Sequence, residues 1–186
     1  MDVWKALENA NASVQRKINR LERARDNVPL EGARGIAVAN ILTNMISILE
    51  EVNKLIACFQ NLKDTSVVKG NKVKLVNNTY WKFYTDGDKL IVTRHDPSIT
   101  VVIGDENVRI SLKSKDEKGA SAVFSDGSFS IRKDKLTIEG NYTNYEYLLE
   151  KDYYINYALR PISKAIKRRV PHVLTQLKML GIQCPS

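Results

Sequence analysis

A broad apolar stripe between residues 36 and 62 constrains this chain more than any other feature. Val38, Met45, Val52 and Phe59 recur at one heptad position, and Ile41, Ile48, Leu55 and Leu62 at a second. Leu42, Leu49 and Ile56 lie directly beside the second row. Apolar residues at that period mean a helix, and a stripe three residues wide needs cover from more than one neighbour. Glu50, Glu51, Asn53 and Lys54 take the other face. The apolar residues never run unbroken for the roughly 20 positions a bilayer span requires. The expectation is an amphipathic core helix of a soluble protein, with no membrane partner.

The segments on either side supply the cover. Trp4, Leu7, Val14, Ile18 and Leu21 mark a first helix over residues 2–27, with a seam too narrow to bury the stripe alone. Val28, Pro29 and Gly32 break that helix and reverse the chain, so residues 1–64 read as an antiparallel helical hairpin. Over residues 65–140 the period changes to two, and Asp-Gly pairs at 86–87 and 126–127 punctuate it. This predicts an antiparallel β-meander of about seven short strands. Its inward face should be Leu90, Val92, Val101, Val108, Ile110, Phe124, Phe129, Ile131, Leu136 and Ile138. The polar segment 113–119 is its mobile loop, and His95, Asp96 and Pro97 form a turn. Residues 141–186 are helical again. Pro161 and Pro171 should divide them into successive helices, the last closing at Gly181. The fold class is therefore α+β: the N-terminal hairpin and C-terminal helices form one helical layer, and the three segments fold as one cooperative unit.

The net charge of +8 is spread unevenly. Residues 141–186 carry seven basic and three acidic side chains, which is half of the whole surplus. Lys164, Lys167, Arg168 and Arg169 crowd into six positions, with Arg160 before them and Lys178 after. Such a cluster neutralises phosphates independently of sequence, although a solvated helix face would carry the same residues. Arg16, Arg20 and Arg23 form a second row on the first helix, continued by Asn9 and Ser13 and partly offset by Glu22 and Asp26. Six of the eight tyrosines fall between 142 and 157, more than a core can hold. Exposed members would offer bases a stacking surface.

Signs of catalysis are thin. The two histidines stand in a turn and at a helix start, and no serine occupies a nucleophile elbow. Asp86, Asp88, Asp105 and Glu106 lack calcium-loop spacing, and no phosphate-binding glycine loop occurs. Cys58 and Cys184 lie far apart: the first reads as a small buried hydrophobe, the second as part of a frayed tail. A bridge between them would be compatible with the sequence, but nothing in it demands one. The start of the chain lacks a signal-peptide pattern, so glycosylation motifs at Asn11, Asn77 and Asn141 read as chance. The expectation is a cytoplasmic, non-enzymatic protein without cofactor or metal. It would bind nucleic acid weakly through Arg160, Lys164, Lys167, Arg168, Arg169 and Lys178, helped by Arg16, Arg20 and Arg23, as a subunit of a larger assembly. The competing expectation is a structural adaptor that uses the broad face of helix 36–62 for a protein partner or for self-association.

Overall fold

The computed structural model describes residues 2–75, 80–94, 98–113 and 118–184. The Asn77 motif, the His95 turn and most of the loop at 113–119 lie outside the described residues.

Helix α1 (Val3–Asp26) begins where the Asp2 side chain accepts a hydrogen bond from the Trp4 N–H at 3.2 Å. Helix α2 (Gly32–Gln60) starts four residues before the apolar stripe, on Gly32 with φ of +81°. Three residues later the chain doubles back so tightly that a Cβ on Gly35 would lie 1.8 Å from the Pro29 carbonyl oxygen. Only glycine fits there. The two helices run antiparallel, as Asn53–Gln15 and Arg25–Thr43 hydrogen bonds show.

Among the described residues nine strands follow rather than about seven, each antiparallel to the next, in the order in which the chain makes them. They are β1 (Val68–Lys69), β2 (Lys72–Lys74), β3 (Tyr80–Asp86), β4 (Lys89–Arg94), β5 (Ser98–Ile103), β6 (Asn107–Lys113), β7 (Gly119–Ser125), β8 (Ser128–Lys133) and β9 (Leu136–Asn141). The shortest strand, β1, pairs with β2 around Gly70, too brief a pairing to leave a period in the sequence. Strand alternation sends Leu90, Val92, Val101, Val108, Ile110, Phe124, Phe129, Ile131 and Ile138 into the core as expected. Leu136 is the exception. It opens β9 beside the turn at Asp134 and stays 36% exposed. The other face of the sheet is mostly polar, with Thr93 and Thr100 sharing a hydroxyl hydrogen bond across β4 and β5.

Short α3 (Tyr145–Glu150) is capped by Asn144, whose side chain accepts from the Tyr147 N–H. It leads into α4 (Asp152–Met179), a single helix where the sequence predicted breaks at Pro161 and Pro171. Each proline removes one donor and leaves the carbonyl four residues back without a partner. Pro171 is exposed, where water can satisfy that carbonyl, and the helix is held by its buried side. Ile155, Leu159, Ile162, Ile166, Val170, Val173 and Leu177 form that buried face, and their packing outweighs two missing hydrogen bonds. The helix ends as expected at Gly181, φ +86°, with the Ile182 N–H bonded to the Leu177 carbonyl.

Helix α1 crosses the inner face of the sheet over β3–β5, and α4 crosses it over β6–β9. Helix α2 packs against both, antiparallel to α1. Hydrogen bonds of Asn44 to Ser163 and Asn61 to Gln183 show that it runs parallel to α4. By length and composition α2 would pass for a membrane-crossing helix. Its stripe is instead buried inside the chain from Val38 to Leu62, with Leu49 and Ile56 wholly covered. Phe59 continues this core into the sheet, meeting Trp81 and Phe83 at 6.3 and 5.5 Å between ring centres. Cys184, expected in a frayed tail, is held to the core. It is disulfide-bonded to Cys58 at the end of α2, with Cα atoms 4.6 Å apart.

A candidate nucleic-acid interface on the C-terminal helix

Because α4 runs through both prolines, residues on three expected helices share one face. Tyr153, Tyr157, Arg160, Lys164, Lys167 and Lys178 fall at helical spacing and are all exposed, with Arg168 beside them. At about 1.5 Å per residue the stripe is roughly 38 Å long. Asp152 is the one acidic residue of the helix, at its very start. Among the described residues no carboxylate lies within ion-pair distance of Arg160, Lys164, Lys167, Arg168 or Lys178.

The aromatic end of the stripe is ordered. The rings of Tyr153 and Tyr157 are 6.5 Å apart and within 9° of parallel, and Tyr154 meets Tyr153 edge-on at 5.6 Å. The Lys133 ammonium, from β8, sits 3.9 Å from the centre of the Tyr157 ring. On the α2 side of the stripe, Asn44, Asn156, Arg160, Ser163 and Lys164 line a polar groove of about 350 Å³. On the sheet side, Lys113, Lys118 and Lys133, with Asp134 among them, rim a shallow apolar cleft floored by Leu112, Pro161 and Ala165. The face thus carries an excess of cations beside the stripe as well as along it, a form suited to a polyanion.

Two parts of the expected site lie elsewhere. Arg169 is half-buried on the flank turned toward the packed side and does not join the stripe. The row on α1 is at the other end of the strands, where β5 turns into β6 and β7 into β8. Arg16 is 3.7 Å from the Asp105 carboxylate. Ser13, expected to continue that row outward, is buried and donates to the Gly104 carbonyl at 2.6 Å. Beside it Lys17, 0% exposed, donates to the Asp105 carbonyl at 2.8 Å and lies 3.5 Å from the Asp126 carboxylate. Arg20 and Arg23 remain exposed and line a small cleft with Tyr142 and Tyr145. The buried Tyr142 hydroxyl donates to the Ser125 carbonyl and accepts from the Gly127 N–H. Burial pushes its pKa above the ordinary tyrosine value, and the Asp126 charge adds to this, against the opposing Gly127 hydrogen bond.

Sequence reasoning does not single out Lys133, and it raises Tyr153 and Tyr157 only as members of the tyrosine cluster, without placing them on the cation row. The spacing 153, 157, 160, 164, 167 was the available signal, hidden by reading Pro161 as a helix end. His172 is exposed and hydrogen-bonded to Gln176 at 2.9 Å. Among the described residues no three histidine, cysteine, aspartate or glutamate side chains gather as metal ligands would. Compared with family models, curated protein sequences and solved structures, the chain finds no match.

Proposed function

We propose that this chain is a non-enzymatic nucleic-acid-associated protein, a subunit of a larger assembly, that binds the phosphate backbone along the exposed face of α4. One observation carries the reading. Arg160, Lys164, Lys167, Arg168 and Lys178 line one side of a single continuous helix, with no acidic partner among the described residues. Held in one row, these cations can meet successive phosphates and release their counterions, which gives weak, sequence-independent, salt-sensitive binding. The α1 row is a poorer candidate, since its neighbours already supply carboxylates and carbonyls. The adaptor alternative needs the apolar face of α2 free, and that face is occupied by the chain's own helices and sheet. Its burial favours the phosphate reading.

The test replaces Arg160, Lys164, Lys167 and Arg168 together with glutamine and follows binding of a labelled oligonucleotide across a salt series. Each lost phosphate contact should flatten the dependence of log affinity on log salt by about 0.7–0.9. Unfolding should be unchanged, because all four side chains are exposed. Equal slopes for the two proteins would mean that the stripe is only solvated surface.

A further inference from the structure

Resting on that reading, we infer that the ligand of α4 is single-stranded nucleic acid. Unpaired bases stack on the tyrosines at the start of the helix, while the backbone runs along the cations toward Lys178. The argument begins with exposure. Tyr153 is 72% exposed and Tyr157 45%, so two neighbouring rings leave much of their apolar surface to solvent. Their order is unusual for surface side chains. Tyr157 is fixed by Lys133 from the neighbouring strand, Tyr153 lies parallel to it, and Tyr154 braces Tyr153 from the side. Rings held this way lose little freedom when a base arrives, so the stack is prepared for a flat ligand.

Duplex cannot use it. In a double helix the faces of the bases are covered by their neighbours, and only edges and phosphates reach a protein. An unpaired strand presents both its phosphates and the faces of its bases, the two features that a tyrosine stack and a row of cations on one ridge can engage together. The Asn44, Asn156 and Ser163 groove lies alongside the junction of aromatic and basic halves, where amide and hydroxyl groups can reach base edges. Stacking accepts every base, so sequence preference is slight.

The measurement is fluorescence anisotropy of a labelled oligothymidylate and of an equal-length duplex, each across a salt series. The proteins are the unmodified chain, Tyr153→Ala/Tyr157→Ala, Tyr153→Phe/Tyr157→Phe and the four-glutamine variant. The unmodified chain should prefer the single strand by about tenfold or more, one stacked base being worth roughly 5- to 150-fold. The alanine pair should lose that preference with its salt slope and duplex affinity intact, and the phenylalanine pair should keep it. Equal affinity for the two ligands, or a preference that survives the alanine pair, overturns the stacking inference. The phosphate reading then still stands if glutamine flattens the slope. Binding of neither ligand overturns both.

Discussion

Helices α1 and α4 start from similar material and end with opposite roles. Both are amphipathic, both lie on the inner face of the same sheet, and both carry a row of cations. On α1 the sheet's turns reach the row. Gly104, Asp105 and Asp126 present carbonyls and carboxylates to Ser13, Arg16 and Lys17, and the polar side chains become fasteners. On α4 the stripe faces away from the sheet, and its cations stay in water. The fastener there is of another kind, the disulfide between Cys184, just beyond the helix, and Cys58. A basic residue is therefore structural or available according to which loop lies opposite it, and counting charge does not tell the two apart.

The sharpest way to break this comparison is to remove the two fasteners in turn. Reducing the disulfide, or replacing Cys184 with serine, frees a loop spanning 126 residues. In the chain-entropy treatment that lowers stability by about 5 kcal/mol. Thermal unfolding should fall by roughly 10–20 °C, and a midpoint indifferent to reductant would show that packing alone holds α4. Lys17→Met keeps the bulk of the side chain but removes the buried ammonium that bonds the Asp105 carbonyl and pairs with Asp126. This should cost about 1–3 kcal/mol, against less than about 0.5 kcal/mol for Lys164→Met. Should chemical denaturation rank the two lysines equally, the division into fastener and free surface fails.

The smallest effect concerns Tyr142, which ties the Asp126 turn to the end of the sheet. Tyr142→Phe removes two hydrogen bonds and should lower stability by about 1–2 kcal/mol near neutral pH. The pKa of this hydroxyl is raised in the fold, so the folded chain holds the proton more tightly than the unfolded chain does. Its contribution is complete below the ordinary tyrosine value and is lost as pH climbs through the raised one. Alkaline denaturation of the unmodified protein should steepen above about pH 10, and the phenylalanine variant should show a shallower decline. Parallel curves for the two proteins would mean that Tyr142 titrates as it does in the unfolded chain.

What could be read in the sequence was whatever depends on period. The α2 stripe, the inward face of the strands from Leu90 to Ile138 apart from Leu136, and the Gly181 stop are local patterns, and the fold keeps them. What escaped depends on which parts of the chain meet. Lys17 could not be told from Arg16 or Arg20 until the turns at Gly104 and Asp126 were placed beside it. Cys184 looked like tail because its partner lies on the other side of the whole sheet in sequence. Pro161 misled for an energetic reason: a local penalty for proline is real, but the buried face of α4 exceeds it. A break at Pro161 would place Tyr153 and Tyr157 on a different helix from the cations they accompany.

Strand order that copies chain order has a consequence for how the protein is made. Each strand pairs with the next in the chain, no more than five residues separating them in sequence, so the meander can close hairpin by hairpin with little entropic delay. The helical layer follows a different clock. Residues of α2 emerge early and must wait for α4, more than a hundred positions later, before the second side of their stripe is covered. Once β9 has been made and until α4 follows, the nascent chain should therefore carry a nearly finished sheet and an open apolar groove, the condition in which partly folded chains adhere to one another. The last helix is the closing step, and the groove stays exposed for as long as that step is delayed.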